Sequence, residues 1–122
     1  IGFVYEGKHI RTPALSGSIL PGITRDSILR LAPDLGFSVS EERIDVEDAL
    51  RDIASGKITE VFAMGTAAAV VPLTALAYKA RHYDLANAAT APVAKALYKG
   101  LTDIQYGLAP DPYGWTRIVT VK

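Results

Sequence analysis

The sequence contains no cysteine in 122 residues. Disulfide scaffolds, cysteine-ligated zinc, iron–sulfur clusters and thiol nucleophiles are therefore excluded. An excess of charge of either sign is also missing, because 13 basic side chains balance 13 acidic ones. The overall field will not hold such a chain to nucleic acid or acidic lipid, although a local patch would survive. Long hydrophobic runs are lacking as well. The most apolar stretch, Phe62 to Ala77, is broken by Gly65, Thr66, Pro72 and Thr74 and is too short to span a bilayer. No basic segment followed by an apolar run and a small-residue cleavage site opens the chain. With the cysteine count, this suits the cytoplasm. The first residue is Ile1 rather than Met, which sets up the expectation of a segment upstream.

What is present is globular: hydrophobic residues make up 49% and charged residues 21%. The length suits one domain able to bury a core. No repeat or low-complexity linker divides it. Gly2 to Arg11 reads as a hairpin turning at Glu6-Gly7-Lys8. Thr12 to Gly22, punctuated by Pro13, Gly17 and Pro21, reads as a loop. In the helix that follows, Ile28, Leu31, Ala32 and Leu35 recur at helical spacing, while Arg25, Asp26, Arg30 and Asp34 fall on the polar side. Thr24 is its expected N-cap and Gly36 its C′ residue, and Pro33 should kink or stop the last turn.

Phe37 to Ile44 alternates as a strand. Asp45 to Ala54 reads as a helix capped by Asp45 and ended by Gly56, with Val46, Ala49, Leu50 and Ile53 as its apolar stripe. Thr59 to Met64 is a strand, Gly65-Thr66 a tight turn, Ala68 to Leu73 another strand, and Leu76 to Leu85 a small hairpin. Ala91 to Tyr106 spaces Val93, Ala94, Leu97, Leu101, Ile104 and Gln105 as the longest helix. Gly107 to Gly114 is a loop, and Trp115 to Val121 a terminal strand. The class is α/β in the mixed α+β sense, since hairpin-like connections argue against a purely parallel sheet.

Titratable groups offer little chemistry. His9 and His82 lie in separate hairpins without partners for a metal or a triad. Lys8, Lys57, Lys79, Lys95, Lys99 and Lys122 sit beside turn residues or on helix faces, where lysine is solvated. Glu41-Glu42 and Asp45/Glu47/Asp48 read as a strand edge and an acidic first helical turn. Two segments are more telling. In Leu20-Pro21-Gly22-Ile23-Thr24-Arg25-Asp26 a glycine turns the chain into a helix, leaving the amides of Ile23 and Thr24 and the Thr24 hydroxyl to meet an anion, or Thr24 simply to cap its own helix. In Met64-Gly65-Thr66-Ala67-Ala68-Ala69 a strand enters a turn of small residues, which either admits a ligand to the backbone or packs under another element. Together they outline a cradle for phosphate or carboxylate.

Three segments carry a resemblance: Ser18-Ile19-Leu20-Pro21-Gly22-Ile23-Thr24-Arg25-Asp26-Ser27, Thr59 to Ala68, and Leu101-Thr102-Asp103-Ile104-Gln105-Tyr106-Gly107. In order and approximate spacing they resemble the branched-chain amino-acid aminotransferases, which are fold-type IV enzymes dependent on pyridoxal 5'-phosphate. The resemblance implies that the chain has the D-amino-acid aminotransferase-like fold and that residues 1–122 are the C-terminal portion of the cofactor-binding large domain. It implies that Leu20 packs on the pyridine ring, and that Gly22, Ile23, Thr24, Gly65 and Thr66 form the phosphate site. Thr66, Ala67 and Ala68 would receive the substrate carboxylate.

The lysine that holds the cofactor covalently, the arginine on its phosphate, the carboxylate partnering its ring nitrogen and the small N-terminal domain would all lie upstream, so no catalytic residue is expected within this chain. The implied activity exchanges an amino group between leucine, isoleucine or valine and 2-oxoglutarate, in a cytoplasmic homodimer or higher homo-oligomer completed by the rest of the same enzyme. Other fold-type IV activities (D-amino-acid aminotransferase, aminodeoxychorismate lyase) and a truncated non-catalytic binding module are the alternatives. Departures from the family pattern are Ala91, where glycine is common, Pro33, the loop from Lys79 to Ala89, and Ala68 and Val71 in place of the cysteines of some mammalian members.

Overall fold

In the computed structural model, which describes every residue except 18, 20, 66–68, 86 and 122, alternation along two strands sorts the core into two halves. On β1 (Gly2–Tyr5), Phe3 joins one apolar cluster and Val4 the other. On β4 (Ile58–Gly65), Val61 and Phe62 divide in the same way. Successive strand residues face opposite sides of a sheet, so both faces must be covered.

The sheet has five strands in the order β3-β2-β1-β4-β5. β1 lies antiparallel to β2 (His9–Pro13) and to β4, and β4 lies antiparallel to β5 (Ala69–Pro72). β2 runs parallel to β3 (Ser38–Glu42), with α1 (Ile23–Asp34) as the crossover between them. The mixed class expected from the sequence therefore holds. Against the Val4–Phe62 face pack α1 and α3 (Pro92–Gln105), through Ile28 and Leu31 from one and Val93, Leu97 and Leu101 from the other. Against the Phe3–Val61 face pack Ala49, Leu50 and Ile53 of α2 (Val46–Ser55), with Leu76 and Tyr83 of a hairpin formed by β6 (Ala75–Tyr78) and β7 (Arg81–Asp84). Gly2 stands opposite Phe62 in register, and a Cβ there would lie 2.4 Å from the Phe62 ring.

Local signals set most boundaries. Glu6 and Gly7, both at positive φ, make the first hairpin turn. At the end of α1, Gly36 (φ 94°) lets its own amide reach the Pro33 carbonyl and the Phe37 amide reach Ala32, so Pro33 sits in the last turn without breaking the helix earlier. α2 starts on Asp45 and stops at Gly56 (φ 84°), as its sequence indicates.

Several expectations fail at the edges. Thr12 and Pro13 belong to β2 rather than to a loop, because β3 pairs with them. Leu35, Val46 and Gln105, each assigned to an apolar stripe, are exposed. Trp115 to Val121 forms no strand. Trp115 stacks on Tyr113 at 4.2 Å, but Ile118, Val119 and Val121 are largely exposed, and β-branched residues make a strand only where an edge receives them.

Candidate functional site

The site is set by how the helices begin. An α-helix leaves its first amides without internal partners. At α2 the Asp45 side chain takes up two of them, from Glu47 at 2.8 Å and Asp48 at 3.2 Å. At α3 the carboxylate of Glu60, only 2% exposed, accepts the amides of Val93 and Ala94, each at 3.0 Å. α1 has no such acceptor among the described residues. Its N-cap is Gly22, and no described side chain caps it. Thr24, expected to be the cap, stands instead within the first turn, so its own amide is among those that lack an intrahelical acceptor. The first helical bond runs from the Asp26 amide to the Gly22 carbonyl at 3.1 Å.

That open end borders a cavity of about 440 Å³, whose lining includes Thr12, Gly22, Ile23, Thr24, Arg25 and Gly65. Four residues singled out from the sequence, Gly22, Ile23, Thr24 and Gly65, thus meet at one place although more than 40 positions separate the first from the last. The β4–α1 packing brings them together, since Gly65 ends β4 on the sheet that α1 covers. Leu20, Thr66, Ala67 and Ala68 lie outside the described residues.

Among the described residues nothing requires either glycine. Gly22 holds φ −67° and ψ 143°, a conformation open to any residue, and a Cβ on it would make only an ordinary contact at 3.9 Å. A Cβ on Gly65 would meet nothing within 4 Å. Bare backbone beside uncapped amides at the positive end of a helix dipole is what an anion would use.

Arg25 was not foreseen. Helical spacing puts it on the polar side of α1, yet its side chain is only 11% exposed and lines the cavity. Its Nη2 donates to the Pro13 carbonyl at 3.0 Å and to Glu41 Oε1 at 2.5 Å. The signal available in the sequence was the acidic pair Glu41-Glu42 on the strand beside Pro13, whose nearness depends on the parallel β2–β3 pairing. The histidines stand apart: His9 bridges Ser38 and Ser40, and His82 pairs with Asp84. Among the described residues no cluster of three metal-ligating side chains occurs, no lysine lines the cavity, and no helix is long and apolar enough to cross a membrane.

The model of one family, the class IV amino-transferases, matches residues 1–76. The chain belongs to the class IV aminotransferases. A probable branched-chain-amino-acid aminotransferase from Staphylococcus epidermidis is 46% identical over 115 residues, which cover 94% of this chain and 32% of that protein. The branched-chain-amino-acid aminotransferase of Mycobacterium tuberculosis is 49% identical over 104 residues, covering 85% of this chain and 28% of the relative. The crystal structure of the Escherichia coli branched-chain amino acid aminotransferase superposes with a TM-score of 0.76 at 31% identity, over 93% of this chain and 35% of that one. The aminotransferase chain described here spans about a third of the length of the curated relatives it matches. Its fold is that of the fold-type IV branched-chain aminotransferases.

Proposed function

We propose that the protein carrying this chain is a branched-chain amino-acid aminotransferase, exchanging an amino group between leucine, isoleucine or valine and 2-oxoglutarate with pyridoxal 5'-phosphate. Residues 1–122 would be the C-terminal portion of its cofactor-binding large domain. The observation that carries this reading is the uncapped N-terminus of α1, opening with Gly22, Thr24 and Gly65 onto one cavity. The names of the relatives supply the choice of substrate.

The residues present fit the cofactor's phosphate. Amides of Ile23 and Thr24 and the Thr24 hydroxyl are neutral donors at a helix N-terminus, which favours a dianion without requiring a titrating partner. By the family resemblance the Thr66 hydroxyl would complete the site, with the Ala67 and Ala68 positions beside it in sequence. Gly22 and Gly65 would keep side chains away from the oxygens, and by the family resemblance Leu20 would pack on the ring. Amides of Ala67 and Ala68 receive the substrate carboxylate. When bound, the cofactor supplies the electron sink for the transfer, whereas these residues orient it and the substrate. A cytoplasmic location and a homodimer come with this reading from the family resemblance.

In the full-length protein, Thr24→Ala should weaken retention of pyridoxal 5'-phosphate by about 1–3 kcal/mol, the value of hydrogen bonds to a charged group. Equilibrium dialysis of the holoenzyme reads this directly, and unchanged retention removes the cradle. Amino transfer measured with leucine, isoleucine and valine against D-alanine tests the substrate class. A preference for the D-amino acid would move the protein to another activity of the same family.

A further inference from the structure

α1 joins the core late. Its buried residues are Ile28, Leu31 and Ala32, whereas Ile23 is 80% exposed and Asp26 lies at the surface. The turn bearing the cradle amides therefore has no apolar anchor of its own. Positions 14–21 between β2 and α1 contain no strand or helix among the described residues.

Arg25 fills that role. It stands at the third position of α1, and a single nitrogen, Nη2, binds both the Pro13 carbonyl and Glu41 Oε1. Pro13 ends β2 and Glu41 lies on its parallel neighbour β3, so one guanidinium ties the first turn of the helix to both strands. The Arg25 Nε is buried with no acceptor among the described residues. A buried donor without a partner is a cost that an apolar side chain would avoid. Retaining a cation there suits a dianion close by, because charge attracts over a longer range than a hydrogen bond.

We infer that Arg25 is a positioning residue for the cofactor phosphate, with Glu41 as its counterpart: the pair holds the first turn of α1 so that the Ile23 and Thr24 amides converge on the anion before it arrives. This rests on the phosphate-cradle reading above and extends it to two residues that lie outside the cradle's own donor set. Order already present before binding does not have to be created by the ligand, and so appears as affinity.

The discriminating quantity is the ratio of affinities for pyridoxal 5'-phosphate and for pyridoxal, which lacks the phosphate, measured on the apo form of the full-length protein with inorganic phosphate as a second probe. Arg25→Met should lower that ratio, and phosphate affinity with it, by about tenfold. Arg25→Lys should recover part of the loss. Glu41→Gln, which keeps the acceptor but not its charge, should cost roughly threefold. An Arg25 that served stability alone would reduce the melting temperature and weaken both ligands equally, and an unchanged ratio in Arg25→Met overturns the inference. Should Arg25→Met fail to fold, an unchanged ratio in both Arg25→Lys and Glu41→Gln does the same. Thr24→Ala separates the two levels of the proposal. If it leaves the ratio intact, the cradle itself fails. If it lowers the ratio while the Arg25 and Glu41 variants do not, only the positioning role is lost.

Discussion

At the N-terminus of α3, Glu60 reaches from β4 beneath the helix and accepts two amides in the closed interior. At the N-terminus of α1 the cap is a glycine, and the first amides border an open cavity. Both ends carry the same partial positive charge and first-turn amides without an intrahelical acceptor, although α3 opens with Pro92, which has no amide hydrogen. What differs is where the answering negative charge comes from. α3 receives it from the fold, at a fixed place, and gains a permanent attachment to β4. On the proposed reading α1 receives it from outside, which would turn an unfavourable helix end into affinity for a ligand. Two helix starts that look alike in sequence, neither with its own side-chain cap, have opposite uses because one lies over a glutamate and the other beside bare backbone.

That contrast can be broken from either side. The largest effect should come from Glu60→Ala, which strands the Val93 and Ala94 amides in the interior and leaves a void. Unfolding free energy should fall by about 3 kcal/mol or more, the sum of two unsatisfied buried donors and lost packing, as read by denaturant titration. A loss below about 1 kcal/mol would mean that water reaches those amides.

Closing the open end is the converse experiment. Gly22→Asp places a carboxylate where α1 lacks a cap, so helix stability should rise by a few tenths of a kcal/mol while phosphate affinity falls about tenfold. Calorimetry beside phosphate binding would show the two moving in opposite directions, and a parallel change would contradict the assignment. Finer still is Ile23→Pro. Proline is favoured at the first helical position, and the extended Gly22 before it tolerates one. The helix should persist while one donor disappears, weakening phosphate binding by about 1–2 kcal/mol.

The smallest change concerns the sealed end. Ala91 precedes α3 in the left-handed region at φ 36°, fully buried. Ala91→Gly should relieve that strain and stabilise the protein by up to about 1 kcal/mol, reduced by the loss of one buried methyl. A lower melting temperature would show that the methyl outweighs the backbone.

Legibility in the sequence follows the range of the interactions. α2 could be read almost whole, because its cap at Asp45, its buried Ala49, Leu50 and Ile53 and its stop at Gly56 all act within a few residues. The two hairpins and the long α3 were legible for the same reason. Thr24 was misread as a cap because its hydroxyl satisfies the local rule, whereas the turn that sets the helix start is made by Gly22. Glu60 drew no reading of its own within the strand Thr59 to Met64, its partners lying 33 and 34 positions further on. Arg25 looked like a surface charge, since neither the register of β2 with β3 nor the reach to Glu41 is written near it. The terminal segment had β-branched residues but pairs with no strand among the described residues. The meeting of Gly22, Thr24 and Gly65 could be guessed from their chemistry but needed the packing of α1 on the sheet to become a place.

Ile23 shows how little of such a place is visible to a comparison of side chains. Its amide is one of the proposed donors, while its side chain is 80% exposed. Every amino acid except proline brings the same N–H to that position. Drift at residue 23 would therefore alter the lettering of the site without altering its function, and a mutational scan would record tolerance there with one exception. On this proposal the inherited element is a direction of the backbone, and it is kept by residues outside the cradle's own donor set.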